Sequence, residues 1–326
     1  MTKKLKTVDI RPAYFPVEFR GIGLKIESEK NKYQQINDFK AVIDTESGKI
    51  FTIVTNGYNL ITNKEAVDQA KPIFERVFSG IQFSDMKVFN IVMPKTRSYC
   101  HIDLVHDSSN FECFNQDSWT PFLRVTNSYN KTKKLSYEIG FCRHICMNGV
   151  IFGSKSVEIS FTHNHGATEI RSKFIENFDD IAKLQTQFIG QLKQIKKYYV
   201  PKDKMLALTC KVFKQKKPMA DDTGKMKVWQ AFQKETQRLT ECYFDELGQN
   251  GYAALNVLTD LASSPKGMLR ENHTHSYQTT CGNWISDFTA AIKEDDFEFD
   301  EYLEEFNRYQ FTDTHSQTSK GQQRLF

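Results

Sequence analysis

The sequence lacks any run of apolar residues long enough to cross a bilayer, which argues against a membrane-spanning protein. Its opening, MTKKLKTVDIRP, is basic but has no apolar stretch of the kind found in a secretory signal. The seven cysteines are odd in number and follow no disulfide-framework spacing. We therefore expect reduced thiols in a cytoplasmic protein that has no membrane partner.

Glycine-rich phosphate loops are absent as well. The chain contains neither G-x-x-x-x-G-K-[ST] nor G-x-G-x-x-G, the two patterns that place backbone amides around nucleotide phosphates. An ATP-driven motor or a dinucleotide-dependent enzyme is therefore not expected. The sequence predicts no cofactor.

Zinc ligands are present only in a weak pattern, because the paired C-x-x-C of zinc knuckles is missing. Cys142, His144 and Cys146 alternate along a predicted strand and would share one face. Two histidine pairs repeat that spacing: His163 with His165, and His273 with His275. Together these side chains could supply four ligands, but buried cysteines on strands are commonly core residues. We therefore predict no metal site.

Histidines and aspartates, which are suited to acid–base chemistry, occur together in the stretch HIDLVHD. On a strand His101 and Asp103 share a face, while His106 falls on the other. A two-metal nuclease would need more carboxylates from elsewhere in the chain. A metal-dependent nuclease built on His101, Asp103 and the Cys142–Cys146 strand stays an alternative, and we predict no catalytic residue.

The first half of the chain is predicted to form strands and the second half to form helices. FKAVIDTESGKIFTIVTNGYNLITN contains two β-rich runs, with turns predicted at Glu46–Gly48 and, as a hairpin, at Asn56-Gly57. Asn63 is predicted to cap a helix over KEAVDQAKPIFERVFSG, with Gly80 as its stop. From about residue 171 apolar residues recur at steps of three and four, which predicts long helices, with a loop at 266–280.

These patterns predict an α+β fold, with an antiparallel, hairpin-rich sheet packed with long helices from the C-terminal half. We divide the chain into an N-terminal arm (1–40), a β-rich core (41–170), a helical region (171–310) and a disordered tail (311–326).

Charge is unevenly distributed along the second half. Residues 193–227 hold 11 lysines against three aspartates, and residues 294–305 hold eight acidic residues and no basic one. The lysines predict a basic surface for a polyanion. The acidic run is predicted to be a helix that either faces solvent or covers the basic surface, and two ordinary solvated faces are the alternative.

We expect the polyanion to be single-stranded nucleic acid, since lysines bind its phosphates whatever the base sequence is. The predicted contacts are a hairpin tip and the lysine-rich stretch: Lys131, Lys133, Lys134, Lys193, Lys196, Lys197, Lys211, Lys214, Lys216 and Lys217. Bases could stack on an aromatic ring. The candidate rings are Tyr14, Phe15, Tyr58, Tyr129 and Tyr198, although most aromatic residues here must be core.

The chain ends in GQQRLF after a polar stretch. The pattern of Gln322, Leu325 and Phe326 is similar to the short peptide by which bacterial and phage DNA-metabolism proteins dock on the sliding clamp. The polar stretch before it would serve as a flexible linker, which suits such a docking peptide. Chance occurrence and folding back onto the body are the alternatives.

Three stretches together resemble a known family. They are FTIVTNGYNLITNKEAVDQAKPIF, FLRVTNSYNKTKKLSYEIGFCRHICMNGVIFG and GYAALNVLTDLASS, and the resemblance covers roughly residues 40–265. The chain is similar to the phage/plasmid-like family catalogued as domain of unknown function 932. The resemblance implies an origin in phages, plasmids or other mobile elements of bacteria. The predicted architecture also looks like that of phage single-strand annealing proteins.

The sequence thus predicts a non-catalytic DNA-metabolism protein of a phage or mobile element, located in the bacterial cytoplasm. It would bind single-stranded DNA in strand annealing and recombination. It would act as a homo-oligomer and be recruited to the sliding clamp. The alternatives are a protein-binding inhibitor of a host defence or host process, and the metal-dependent nuclease.

Overall fold

The computed structural model describes residues 7–26, 32–78, 80–114, 117–144, 148–151, 158–161 and 181–311. The chain divides into two compact units, Met1–Ile189 and Gly190–Phe326. Strands make up the first unit and helices the second, so the α+β class is confirmed. The finer domain limits at residues 40, 170 and 310 stay predictions.

A three-stranded antiparallel sheet opens the first unit. It consists of β1 (Val17–Lys25), β2 (Tyr33–Asp44) and β3 (Ile50–Thr55), with β2 in the centre. Much of the segment predicted as an N-terminal arm therefore lies in strands. The sheet packs on a buried cluster that includes Val42 and Val54. The turn between β2 and β3 uses Gly48 at a φ of +70°, as predicted from Glu46–Gly48.

The predicted hairpin at Asn56-Gly57 is wrong. A turn does follow β3, and the Tyr58 N–H donates to the Thr55 carbonyl over 3.1 Å. The chain then leaves the sheet, because Tyr58 packs into the same buried cluster as Val42 instead of continuing a paired strand.

Two short helices follow, α1 (Asn63–Gln69) and α2 (Lys71–Val77), where one was predicted. Pro72 lies in the first turn of α2, where a proline is tolerated because its missing N–H would be unpaired anyway. The cap of α1 is Thr62 and not Asn63. The Thr62 hydroxyl accepts from the Glu65 N–H, and the Glu65 carboxylate accepts from the Thr62 N–H over 2.7 Å.

A seven-stranded antiparallel sheet forms the rest of the first unit. Its main order is β10-β8-β7-β5-β4, while β6 pairs with β7 and β9 with β8. The strands are β4 (Lys87–Val92), β5 (Tyr99–Val105), β6 (Phe111–Phe114), β7 (Asp117–Ser128), β8 (Leu135–Arg143), β9 (Gly149–Ile151) and β10 (Glu158–Phe161).

Helix α1 covers one face of this sheet. The Tyr137 hydroxyl donates to the Ala66 carbonyl over 3.0 Å. The Asn127 amide donates to the Ile61 carbonyl over 2.8 Å, and the Asn63 N–H donates to the Tyr129 hydroxyl over 2.8 Å. Because side chains alternate along a strand, the neighbouring residues of β5, β7 and β8 point to the opposite face.

The second unit is helical. Helix α3 (Ile181–Lys197) runs across the division, followed by α4 (Met205–Phe213), α5 (Thr223–Leu247), α6 (Gly251–Ser263), α7 (Thr274–Ala291) and α8 (Phe299–Tyr302). Helix α6 is its buried centre. Among the described residues, none of these helices is both long and apolar enough to cross a membrane.

The loop predicted over 266–280 is wrong in its second half, because α7 already begins at Thr274. Its first two turns bury Thr274 and Gln278 where the helix faces its neighbours. Polar residues at buried positions leave no apolar periodicity to detect.

Candidate nucleic-acid interface

The loop between β7 and β8 carries three of the predicted phosphate contacts. The Ser128 hydroxyl accepts from the Lys133 N–H over 3.1 Å and donates to the Lys133 carbonyl over 2.7 Å. The Asn130 side chain accepts from the Thr132 N–H over 3.2 Å. Lys131 adopts a left-handed φ of +66°. These bonds fix the loop, so it presents its lysines from a defined backbone.

The three lysines of this loop are available to an anion. Lys131 and Lys134 are exposed, and Lys133 is half-buried. In the described part of the chain, none of the three forms an ion pair with a carboxylate. The loop is therefore a compact, uncompensated positive site.

An aromatic ring lies beside the loop. Lys133 Nζ is 5.8 Å from the centroid of the Tyr99 ring, and that ring lies 5.4 Å from the His101 ring. Burial raises the pKa of the half-buried Tyr99 hydroxyl, which stays neutral and does not repel phosphate. Tyr99 was missed from sequence, although its alternation with His101 and Asp103 on β5 could have suggested it.

Two rows of polar side chains cross the same sheet face. His101, Thr126 and Ser136 are directly paired, and His101 Nδ1 lies 2.7 Å from the Thr126 hydroxyl. In the next row Asp103, Arg124 and Glu138 are paired. All six side chains are buried, so this face of the sheet holds polar groups where apolar ones would be expected.

The second row centres on an ion pair. Arg124 Nε and Nη2 donate to the two Asp103 oxygens over 2.5 and 2.6 Å, and the Asn90 amide donates to Asp103 over 3.0 Å. Burial opposes the charge on Arg124, but the Asp103 carboxylate outweighs it and raises the arginine pKa. Asp103 is thus committed to a hydrogen-bonded network, which gives the nuclease alternative no support.

The candidate zinc ligands do not come together in the described residues. Cys142 lies in an apolar cluster with Phe122 and Ile151. His144 contacts the Thr120 hydroxyl, and its Nε2 lies 3.1 Å from the amide oxygen of Asn110. No group of three metal-binding side chains exists among residues that the structure describes. Three candidates lie outside those residues: Cys146, His163 and His165.

The remaining pair, His273 and His275, lies at the start of α7. The His273 ring is 6.1 Å from the Tyr277 ring. The pair belongs to the helical unit and forms no cluster with the other described candidates.

Most of the proposed stacking rings are core residues. Phe15, Tyr58 and Tyr129 belong to the buried cluster below the three-stranded sheet. Tyr198 packs against Phe288 and other aromatic rings of the helical unit. Burial raises the pKa of Tyr58 to about 12. Phe15, Tyr58 and Tyr129 are therefore not stacking platforms, because apolar packing covers their faces, while the half-buried Tyr198 stays a candidate.

The lysines of α3 lie in the second unit. Lys193 and Lys197 are exposed on its last turns. Lys196 is half-buried, with its Nζ 5.9 Å from the centroid of the Tyr252 ring. The two exposed lysines can contact phosphates, while the Lys196 side chain partly packs against the protein.

The lysines at the end of α4 and directly after it are partly neutralised. Lys211 Nζ is 2.5 Å from Glu304, and Lys216 Nζ is 2.8 Å from Glu305. Lys214 ends α4 in a left-handed conformation and is exposed, as is Lys217. The acidic run predicted from sequence thus covers part of the basic surface.

The C-terminal peptide residues Gln322, Leu325 and Phe326 lie outside the described residues. Clamp docking therefore stays a prediction.

Comparison with known proteins gives a family and no function. The model of a family described as "Domain of unknown function (DUF932)" matches residues 51–280, from β3 into α7. No curated protein and no solved structure matches the chain. The match includes the lysine loop, Tyr99 and both polar rows, and it covers well over half of the sequence. The chain therefore belongs to the DUF932 family.

Proposed function

We propose that this protein binds single-stranded nucleic acid without catalysis, and that the β7–β8 loop is a principal contact. The observation that carries the proposal is the grouping of Lys131, Lys133 and Lys134 on a fixed loop beside the half-buried Tyr99 ring. Lysines supply the phosphate contacts and an aromatic ring supplies a stacking platform, which are the two elements of sequence-tolerant strand binding.

The wider role we propose is DNA metabolism in a phage or another mobile element, with strand annealing as its activity and a bacterial cytoplasm as its location. Annealing needs strands held by their phosphates with bases accessible, which an exposed loop at the end of two strands would allow. We propose a homo-oligomer and recruitment to the sliding clamp through Gln322, Leu325 and Phe326 as parts of the same role.

The test is fluorescence anisotropy of a labelled oligothymidylate titrated with the full chain, in EDTA and without nucleotide, at about 50 and about 200 mM salt. The Lys131→Gln, Lys133→Gln, Lys134→Gln variant should bind about tenfold more weakly at the lower salt. The slope of log affinity against log salt should fall by about 2, since each single-strand phosphate contact contributes about 0.7.

A matched control removes the same charge elsewhere. Lys71, Lys95 and Lys234 are exposed lysines that form no ion pair with a described residue. Their triple replacement by glutamine should change the affinity by less than about twofold. Equal weakening by both triple variants, or no salt-dependent binding by the native chain, contradicts the proposal.

A protein-binding inhibitor is the second candidate, favoured by exposed apolar side chains on the three-stranded sheet. Phe39, Ile50 and Ile53 are 44, 59 and 53% exposed. Exposed apolar patches often mark protein contacts. The same anisotropy titration separates the two functions, because an inhibitor should show no affinity for the oligonucleotide at either salt concentration.

A further inference from the structure

The acidic segment, Glu294–Glu305, lies along lysines of its own unit. Its eight carboxylates are accompanied by no basic residue. Asp300 is 2.9 Å from Lys204 Nζ, and the next two ion pairs are those of Glu304 with Lys211 and Glu305 with Lys216. Three consecutive ion pairs therefore join this segment to the surface around α4.

Apolar side chains hold the segment in place. Leu303 is fully buried, and Phe299 and Phe306 are 8 and 7% exposed. Beyond the segment, the Tyr309 ring lies 5.5 Å from that of Trp229, and its hydroxyl accepts from the Lys217 N–H over 3.2 Å. The backbone is thus fixed by packing, and the carboxylates are not needed to anchor it.

The carboxylates themselves lie at the surface. The side chains of Asp300, Glu304 and Glu305 are 60, 67 and 51% exposed. Glu304 adopts a left-handed φ of +52°, which is uncommon for a residue other than glycine and sets the direction of the two glutamates. Lys216 is 63% exposed, so its ion pair with Glu305 is weak and exchanges readily. Lys204 and Lys211 are 18 and 19% exposed, and in those two pairs only the carboxylates reach solvent. A polyanion can replace the three exposed carboxylates while the packed backbone stays in place.

Unpaired lysines continue the same surface. Lys214 and Lys217 are exposed, and neither forms an ion pair with a described residue. They flank Lys216 in sequence, and their charge is not compensated by the acidic segment. The five lysines of this surface therefore outnumber the three carboxylates that pair with them.

We propose that Lys204, Lys211, Lys214, Lys216 and Lys217 form a second phosphate-binding surface for single-stranded nucleic acid, and that the acidic segment is its built-in competitor. This inference rests on the proposed function, since it assumes the same ligand. Asp300, Glu304 and Glu305 stand where phosphates of a bound strand would lie. They lower affinity at this surface and restrict binding to strands that can displace them.

The experiment removes the three competing charges and keeps the side-chain shapes. The Asp300→Asn, Glu304→Gln, Glu305→Gln variant should bind oligothymidylate about tenfold more tightly than the native chain at about 50 mM salt. Its salt slope should rise by about 2, because three more lysines contact phosphates.

The same segment provides a matched control. Glu294, Asp295 and Asp296 are exposed and form no ion pair with a described residue. Their replacement by Gln, Asn and Asn raises the net charge equally and should tighten binding less than about twofold, as expected for a long-range effect only. Equal tightening by both triple variants overturns the inference.

Folding and function are separated by two further readouts. A thermal melt checks whether the Asp300→Asn, Glu304→Gln, Glu305→Gln variant is folded. If it is not, the single Glu304→Gln and Glu305→Gln variants replace it, and each should tighten binding about twofold. The inference fails and the proposed function stands under one combination of results. The native chain then binds the oligonucleotide, the Lys131→Gln, Lys133→Gln, Lys134→Gln variant binds it more weakly, and the acidic-segment variants bind it as the native chain does. If no variant binds the strand, both fail.

Discussion

Arg124 and Asp103 face each other across β7 and β5, joined by two hydrogen bonds of 2.5 and 2.6 Å with both side chains 1% exposed. A buried pair of this kind is costly to break, because the remaining charge loses a carboxylate that water cannot replace. The stability cost of breaking the pair distinguishes two possible roles of Asp103, a structural role in the sheet and a catalytic role.

The first prediction tests that pair. Asp103→Asn should lower the free energy of unfolding by about 3–5 kcal/mol, since Arg124 stays charged and loses its carboxylate. Urea denaturation measures the change. Asp68→Asn removes an exposed carboxylate paired with Lys64 and should leave stability nearly unchanged. Equal stability of the Asp103 variant and the native chain would contradict the structural role.

The second prediction concerns Tyr99 as a stacking platform. Tyr99→Leu should weaken oligonucleotide binding about fivefold or more, as stacking of one base on an aromatic ring contributes about 1–3 kcal/mol. The salt slope should not change, because no phosphate contact is lost. Tyr199→Leu is the control, since Tyr199 is 61% exposed and lies in the other unit. A fall in slope for the Tyr99 variant would point to a disturbed lysine loop instead.

The third prediction is a pH dependence that arises from Glu235. Hydrogen bonds from Arg238 and then Lys266 lower the pKa of this carboxyl to about 2 in the folded chain, against a usual value of 4.5. Its contribution to stability is therefore complete above the usual value and is lost as the pH falls towards about 2. The Glu235 side chain is 15% exposed, while those of Arg238 and Lys266 are each 58% exposed, so solvent screens part of the interaction.

Urea denaturation between about pH 6 and about pH 3 measures this contribution. The native chain should lose more stability over that range than the Glu235→Gln variant, whose side chain cannot titrate. Parallel stability curves for the two chains would exclude the proposed role of Glu235. Glu241→Gln serves as a control, because Glu241 is an exposed residue of the same helix.

The fourth prediction compares two glycines of the helical unit. A Cβ at Gly251 would lie 2.6 Å from the Ile195 carbonyl oxygen, so Gly251→Ala should destabilise the chain by about 1–3 kcal/mol. Gly190 in α3 has open space around it, and Gly190→Ala should raise stability by up to about 1 kcal/mol through helix propensity. Melting temperatures that shift in the same direction for both variants would contradict the close approach.

Local patterns were enough to predict the α+β class, the turn at Gly48 and the antiparallel sheet. These features depend on alternation and turn chemistry within a few residues, which one sequence displays directly. The same patterns failed for the start of α7, where Thr274 and Gln278 occupy buried positions. Tertiary packing there selects a helix that carries no apolar signature.

The sequence by itself determined where the charges are, and only the tertiary structure decided which of them are available. Lys211 and Lys131 look alike in the chain, yet Lys211 meets a glutamate 93 residues away and Lys131 forms no ion pair with a described residue. Likewise Tyr99 and Tyr129 are both strand-region tyrosines, and only Tyr129 is sealed in the core. Pairing and burial depend on contacts between distant segments, and no local spacing encodes them.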